Sequence, residues 1–133
     1  MPTYSYIRTY KVGNFLTPHV DKPACEISLT VHLYHDEHHF MENKETIDPK
    51  YPFVIESLQK KKHKLDFNPG DAVLYLGCEV MHGRPKMKLG YRYVQSFLHY
   101  VREFGQYKDR HEINKIFYPE NMRSVKDAEA ELR

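Results

Sequence analysis

Tryptophan is absent from this 133-residue chain, cysteine occurs twice, and glycine only six times. Two thiols cannot staple a scaffold, so a packed core has to hold the fold. Cys25 and Cys78 are expected to be free, small buried groups in a reducing compartment. Neither sign of charge dominates. Lysine and arginine total 20 against 18 acidic residues, a formal net charge of +2, so composition does not demand a nucleic-acid partner. No segment approaches the roughly 18 consecutive apolar residues of a membrane span. The opening Met1-Pro2-Thr3-Tyr4-Ser5-Tyr6 lacks the basic-then-apolar order of a secretory leader. Internal repeats and low-complexity stretches are also missing. The expectation is one soluble, cytoplasmic domain with no membrane partner.

What the chain does contain is aromatic and β-rich. Aromatic residues make up 14%, eleven of them tyrosine, which suits a pleated surface. Short β segments are expected at Tyr6–Val12, Phe15–Asp21, Cys25–Leu33, Pro52–Ser57, His63–Phe67, Ala72–Leu76 and Tyr93–Val101. Cys25–Leu33 alternates apolar and polar with the period of a half-buried strand. Pro69-Gly70-Asp71 marks a turn, with Asp71 most simply a turn residue. Many short strands with frequent turns predict a sandwich or a jelly-roll barrel. After Arg102 the pattern changes. Ser124 and Asp127 form a capping-box pattern, and Val125, Ala128 and Leu132 share one helical face. Residues 1–101 are therefore expected to form the β core, and 102–133 an irregular and helical C-terminal extension of the same domain.

The chemistry-bearing residues are His19 and Asp21, as H-V-D, then His82 far downstream and Arg92 ten residues later. Two imidazoles and a carboxylate hold a non-haem Fe(II) on one face and leave positions open for dioxygen. Side chains at i and i+2 of a strand point the same way, so His19 and Asp21 can address one ion. His82 would arrive from a spatially adjacent strand, after the loop Gly77–Met81. H-x-D alone is a weak signal in a chain with nine histidines. Its position at a strand end, ahead of a P-G-D turn, an apolar strand, a histidine and a basic residue, carries the weight.

Three stretches then resemble one family. R-T-Y-K-V-G-N-F-L-T-P-H-V-D-K-P-A-C-E-I-S-L-T-V-H-L (Arg8 to Leu33) resembles the first metal-binding half of Fe(II)/2-oxoglutarate-dependent oxygenases. P-G-D-A-V-L-Y-L-G-C-E-V-M-H-G-R-P (Pro69 to Pro85) resembles the second. G-Y-R-Y-V-Q-S-F-L-H-Y-V (Gly90 to Val101) looks like the strand that anchors the cosubstrate. The pattern is similar to prolyl-hydroxylase-like enzymes and to small oxygenases of marine bacteria and phages. The resemblance implies an all-β, cupin-like double-stranded β-helix with His19, Asp21 and His82 as iron ligands and catalytic centre. It implies hydroxylation driven by 2-oxoglutarate and dioxygen, with release of succinate and carbon dioxide. Arg92 matches the anchor of the distal carboxylate, Tyr10 a tyrosine that contacts it, and Ser96 a pocket residue on the same strand face. Val94 stands where the familiar R-x-S would place serine, and Arg84 is a rival anchor.

The implied substrate is a protein residue or small molecule rather than nucleic acid. The chain is short for the family, and an uncovered sheet invites association as a homodimer. The alternative reading is a non-catalytic, metal-retaining jelly-roll binding module, or a truncated oxygenase relative. A cupin-type enzyme would present H-x-H, and Asp21 argues against it.

Other clusters have plainer readings. His35-Asp36-Glu37-His38-His39 is expected to be a solvated loop that could reach over the site mouth. Lys60-Lys61-Lys62-His63-Lys64 reads as a charged hairpin, with phosphate contact as the alternative. His111-Glu112 lacks a second histidine, because position 115 is lysine. Tyr91, Tyr93, Tyr100 and Tyr107 read as wall and core residues. Gln95 and His99 lie on the strand face opposite Arg92.

Overall fold

The computed structural model describes residues 1–36, 51–87 and 92–110. The chain order is β1 (Pro2–Tyr10), β2 (Leu16–His19), a 3-10 turn (Pro23–Cys25), β3 (Ile27–His35), β4 (Phe53–Glu56), β5 (Lys62–Leu65), β6 (Ala72–Tyr75), β7 (His82–Arg84) and β8 (Tyr93–Tyr100). The strands form two four-stranded antiparallel sheets, in the orders β1-β8-β3-β6 and β2-β7-β4-β5. This is an all-β jelly roll, one of the two architectures the strand spacing predicts, in the double-stranded β-helix form that the resemblance implies. No helix among the described residues is long and apolar enough to cross a membrane. The expected C-terminal helix over 124–132 lies outside the described residues, as do His38, His39, Tyr91, His111 and Glu112.

Strand bounds moved where pairing overrode local pattern. β1 begins at Pro2 rather than Tyr6, because it zips along β8 from Pro2↔Tyr100 to Tyr10↔Tyr93. Val101 N–H then donates to the Met1 carbonyl and extends the seam. His82 opens a strand of its own, β7, directly after the expected loop Gly77–Met81. β7 is three residues long, and Gly83 at its centre pairs with Val54. A Cβ there would lie 2.7 Å from the Leu16 carbonyl oxygen, so a side chain would push β2 away.

The core has two parts. Phe53, Tyr75 and Val80 pack with Ile55, Leu65, Phe67 and Val73 near the small sheet. Tyr10, Tyr51, Met87, Tyr93 and Phe97 fill the other end. The large sheet is inverted relative to a dry sandwich. Its inner face buries Ser28, Thr30, His32, Gln95 and His99, while Ile7 and Leu74 on its outer face are 65% and 66% exposed. A polar inner face is characteristic of a ligand site rather than a dry core, because each buried polar atom needs a partner.

Candidate metal centre

β2 and β7 pair with His19 directly opposite His82, so strand register alone brings two residues 63 positions apart face to face. Asp21 follows just beyond the end of β2. It is fixed by its own N–H, which donates to the Gly77 carbonyl at 2.8 Å. Asp21 Oδ1 lies 3.4 Å from both His19 Nε2 and His82 Nε2. The three ligand atoms lie within 4.8 Å of one another.

Hydrogen bonds on the far side of each ring set its tautomer. His19 Nδ1 is 2.7 Å from the Thr17 carbonyl oxygen, and His82 Nδ1 is 2.9 Å from that of Val80. A carbonyl can only accept, so each Nδ1 carries the proton and each Nε2 turns its lone pair inward. Two lone pairs and a carboxylate then converge on one point. These three groups could hold a cation, and the donor set fits a divalent first-row metal such as Fe(II). Without a metal, a proton does part of this work. The hydrogen bond to Asp21 raises the His19 pKa against the opposing effect of burial. Burial alone would raise Asp21, but the His19 and His82 rings beside it and the hydrogen bond from Ser28 hold its carboxyl well below the usual range.

The surroundings hold the carboxylate still. Ser28 Oγ donates to Asp21 Oδ2 at 2.9 Å and lies 2.9 Å from His99 Nδ1. Gly77 closes over this group. A Cβ on it would meet the Cys25 carbonyl oxygen and come within 2.5 Å of Asp21 Oδ2. Sequence reading had no signal for Ser28 or Gly77, since their roles depend on strands that meet only in three dimensions. The centre is graded in exposure. His82 is 2% exposed, Asp21 13% and His19 28%, so solvent reaches the ion position from the His19 side.

Arg84 lies two residues beyond His82 on the same face of β7. It is 3% exposed, and its Nη1 donates to the Tyr51 carbonyl. Its guanidinium carbon lies 4.9 to 5.9 Å from the ring centres of Tyr51, Tyr93, Phe53, Tyr10 and Phe67. Arg84 Nε and Nη2, and the hydroxyls of Tyr10 and Tyr93, are buried without a hydrogen-bond partner among the described residues. Burial raises the pKa of both phenols, with Arg84 pulling the other way, so both stay protonated donors at neutral pH.

The structure brings Tyr10 and Arg84 together but leaves Arg92 and Ser96 outside. Along β8 the buried residues are Tyr93, Gln95, Phe97 and His99, and the alternate set, to which Ser96 belongs, faces away. Arg92, just ahead of β8, is 61% exposed and forms a two-pronged ion pair with Asp36, with N···O distances of 3.2 and 3.1 Å. That pairing holds the half-buried Asp36 carboxyl well below its usual range. The pleat of β8 is the physical reason. Residue 92 is out of phase with the inner face, and the spacing from His82 could not show that.

Two buried histidines give the ligand-free protein a pH signature. Burial lowers His32 and His99 to about 4 each. Between their folded value and the ordinary value near 6.5, the unfolded chain binds more protons than the folded one. Stability is therefore fully present above pH 6.5 and falls as pH drops towards 4. Thermal melts of metal-free protein from pH 7.5 to 4.5 should show a falling midpoint, and His32→Phe should flatten part of that fall.

The fold and the cluster define a double-stranded β-helix with a two-histidine, one-carboxylate centre where β2 meets β7. No family model matches the chain, and no curated protein matches it in sequence. Among solved structures, a prolyl-4-hydroxylase from Pseudomonas putida superposes with a TM-score of 0.54 at 16% identity, over 74% of this chain. This chain spans about half of that one, 52% of its length. A cupin domain from Bordetella pertussis gives a TM-score of 0.46 at 8% identity, over 77% of this chain and 84% of that one. The first likeness establishes the fold.

Proposed function

We propose that this protein is an Fe(II)- and 2-oxoglutarate-dependent oxygenase acting on a protein side chain or a small molecule. The observation that carries the reading is the convergence of His19 Nε2, His82 Nε2 and Asp21 Oδ1 on one point, with both Nδ1 protons committed to carbonyls. The buried guanidinium of Arg84, two residues along the same strand, supports a cosubstrate that is acidic at its far end.

In this reading His19, Asp21 and His82 would hold Fe(II) by one face. Bound together, the iron and 2-oxoglutarate supply dioxygen-dependent oxidation, with succinate and carbon dioxide released. The chain's own residues do the rest. Arg84 presents Nε and Nη2 as a fork to the distal carboxylate, and the Tyr10 and Tyr93 phenols add donors beside it. Two residues of strand cover roughly 6.6 Å, a span that suits a five-carbon dicarboxylate between metal and guanidinium. Ser28 and Gly77 keep Asp21 from rotating. Phe53 and Tyr75 pack on the His82 ring, with ring centres 5.6 and 4.7 Å away, and keep water from its buried side. The more open His19 side is where a substrate would approach.

The test is an anaerobic titration of the protein with Fe(II) and then 2-oxoglutarate, followed by the visible absorption of the chelate. The expected result is a band that needs both components. A folded protein that binds Fe(II) and gives no band with 2-oxoglutarate would favour the alternative of a metal-retaining binding module.

A further inference from the structure

Gln95 is fully buried, yet neither its Nε2 nor its Oε1 has a hydrogen-bond partner among the described residues. A glutamine kept only for packing would have its amide satisfied by the fold, because a buried amide end left unpaired has lost its water without gaining a partner. Its place in the sheet says what it faces. One strand repeat towards the start of β8 lies Tyr93, whose ring centre is 5.0 Å from the Arg84 guanidinium carbon. One repeat the other way lies Phe97, paired with Thr30, whose hydroxyl is 3.4 Å from that of Tyr75. Tyr75 in turn packs on the metal-side histidine, His82. Gln95 thus occupies the row between the guanidinium and the groups that touch the metal centre.

The inventory of unpaired atoms narrows the ligand. Arg84 Nε and Nη2, the Tyr10 and Tyr93 hydroxyls and Gln95 Nε2 are five donor atoms. Gln95 Oε1 is the one unpaired atom of this group that can only accept. Nη2 and Nε2 each carry two hydrogens, so the donor hydrogens far outnumber that acceptor, and a ligand rich in acceptor oxygens, such as a carboxylate, matches the excess.

We propose that the Gln95 amide determines cosubstrate specificity, its Nε2 donating to the same distal carboxylate that Arg84 holds and its Oε1 oriented by a donor of that pocket. This rests on the reading of the site as a 2-oxoglutarate site. The consequence is discrimination between 2-oxoglutarate and 2-oxopentanoate, which has the same five carbons with a methyl in place of the distal carboxylate. Gln95→Leu removes the amide and keeps the bulk. Gln95→Glu adds a like charge.

The experiment is anaerobic calorimetric titration of Fe(II)-loaded protein with each of the two ligands. Wild type should prefer 2-oxoglutarate. Gln95→Leu should weaken 2-oxoglutarate about tenfold or more, leave 2-oxopentanoate within about twofold, and leave Fe(II) affinity unchanged. Gln95→Glu should weaken 2-oxoglutarate further, by about 100-fold. Gln95→Met replaces the leucine variant if that one does not fold. A folded apolar variant with an unchanged preference ratio overturns the role of Gln95 alone. Wild-type protein that binds Fe(II) but shows no metal-dependent affinity for 2-oxoglutarate overturns the site reading, and this inference with it.

Discussion

Arg84→Met should lower the affinity for 2-oxoglutarate by about 100-fold or more, while Fe(II) affinity stays within a few-fold. Each hydrogen bond between charged groups is worth roughly 1.5–3 kcal/mol. Losing both arms of a forked contact therefore removes about 3–6 kcal/mol. The ligand-free fold should tolerate the change. Methionine keeps much of the volume among Tyr10, Tyr51, Phe53, Phe67 and Tyr93 and takes away two unsatisfied buried nitrogens. Against that stand the lost contacts of the cation with those rings and the lost hydrogen bond from Arg84 Nη1 to the Tyr51 carbonyl. These contributions are each of order 1–3 kcal/mol and oppose one another. The melting midpoint should shift by less than about 5 °C either way. Arg92→Ala is the matched control. Its guanidinium is committed to Asp36 at the surface, so 2-oxoglutarate affinity should change by less than about threefold. If Arg92→Ala weakens 2-oxoglutarate and Arg84→Met does not, the anchor is Arg92.

His82→Ala should have the largest effect on the metal. Changes to groups that merely orient a ligand cost 10- to 100-fold in affinity, so deleting one of three ligands should cost more than about 100-fold. Linkage gives an independent readout. At 100 times the dissociation constant, Fe(II) stabilises the folded wild type by about 2.7 kcal/mol. In a domain of this size that raises the midpoint by roughly 10 °C. Added Fe(II) should leave the His82→Ala midpoint where it was. The variant should itself be less stable by about 1–3 kcal/mol, because a 3%-exposed ring between Phe53 and Tyr75 has been removed. Wild type and variant responding equally to Fe(II) would remove His82 from the ligand set.

How much of this was legible in the sequence depends on the length of each element. β3 and β8 are long, and their period-2 patterns marked them within two residues at each end. β7 has three residues with glycine at the centre, too short for any periodicity, so only the metal-ligand pattern pointed to an adjacent strand carrying its histidine. The convergence of His19, Asp21 and His82 was legible in type and order, while register supplied the proof of proximity. The face of a strand was harder to read. Alternation in Cys25–Leu33 marks two faces and does not say which one turns inward. Here Ser28, Thr30 and His32 turn in, and the aliphatic residues between them lie on the other face. The same ambiguity displaced Arg92 and Ser96 from the pocket and left Arg84 as its buried cation. Gln95 and Arg92 were correctly placed on opposite faces, and the inner face proved to be that of the glutamine.

That reversed polarity of the large sheet bears on the survival of the polypeptide. Most small domains are complete once their side chains have met. This one encloses a guanidinium, two phenols and an amide that are left short of partners among the described residues, and under the proposed oxygenase function a ligand would complete them. Its protease sensitivity and its half-life should therefore follow the concentrations of metal and dicarboxylate around it. Limited proteolysis with and without both would read that dependence directly, and in a living cell the amount of this protein would track the supply of its small molecules.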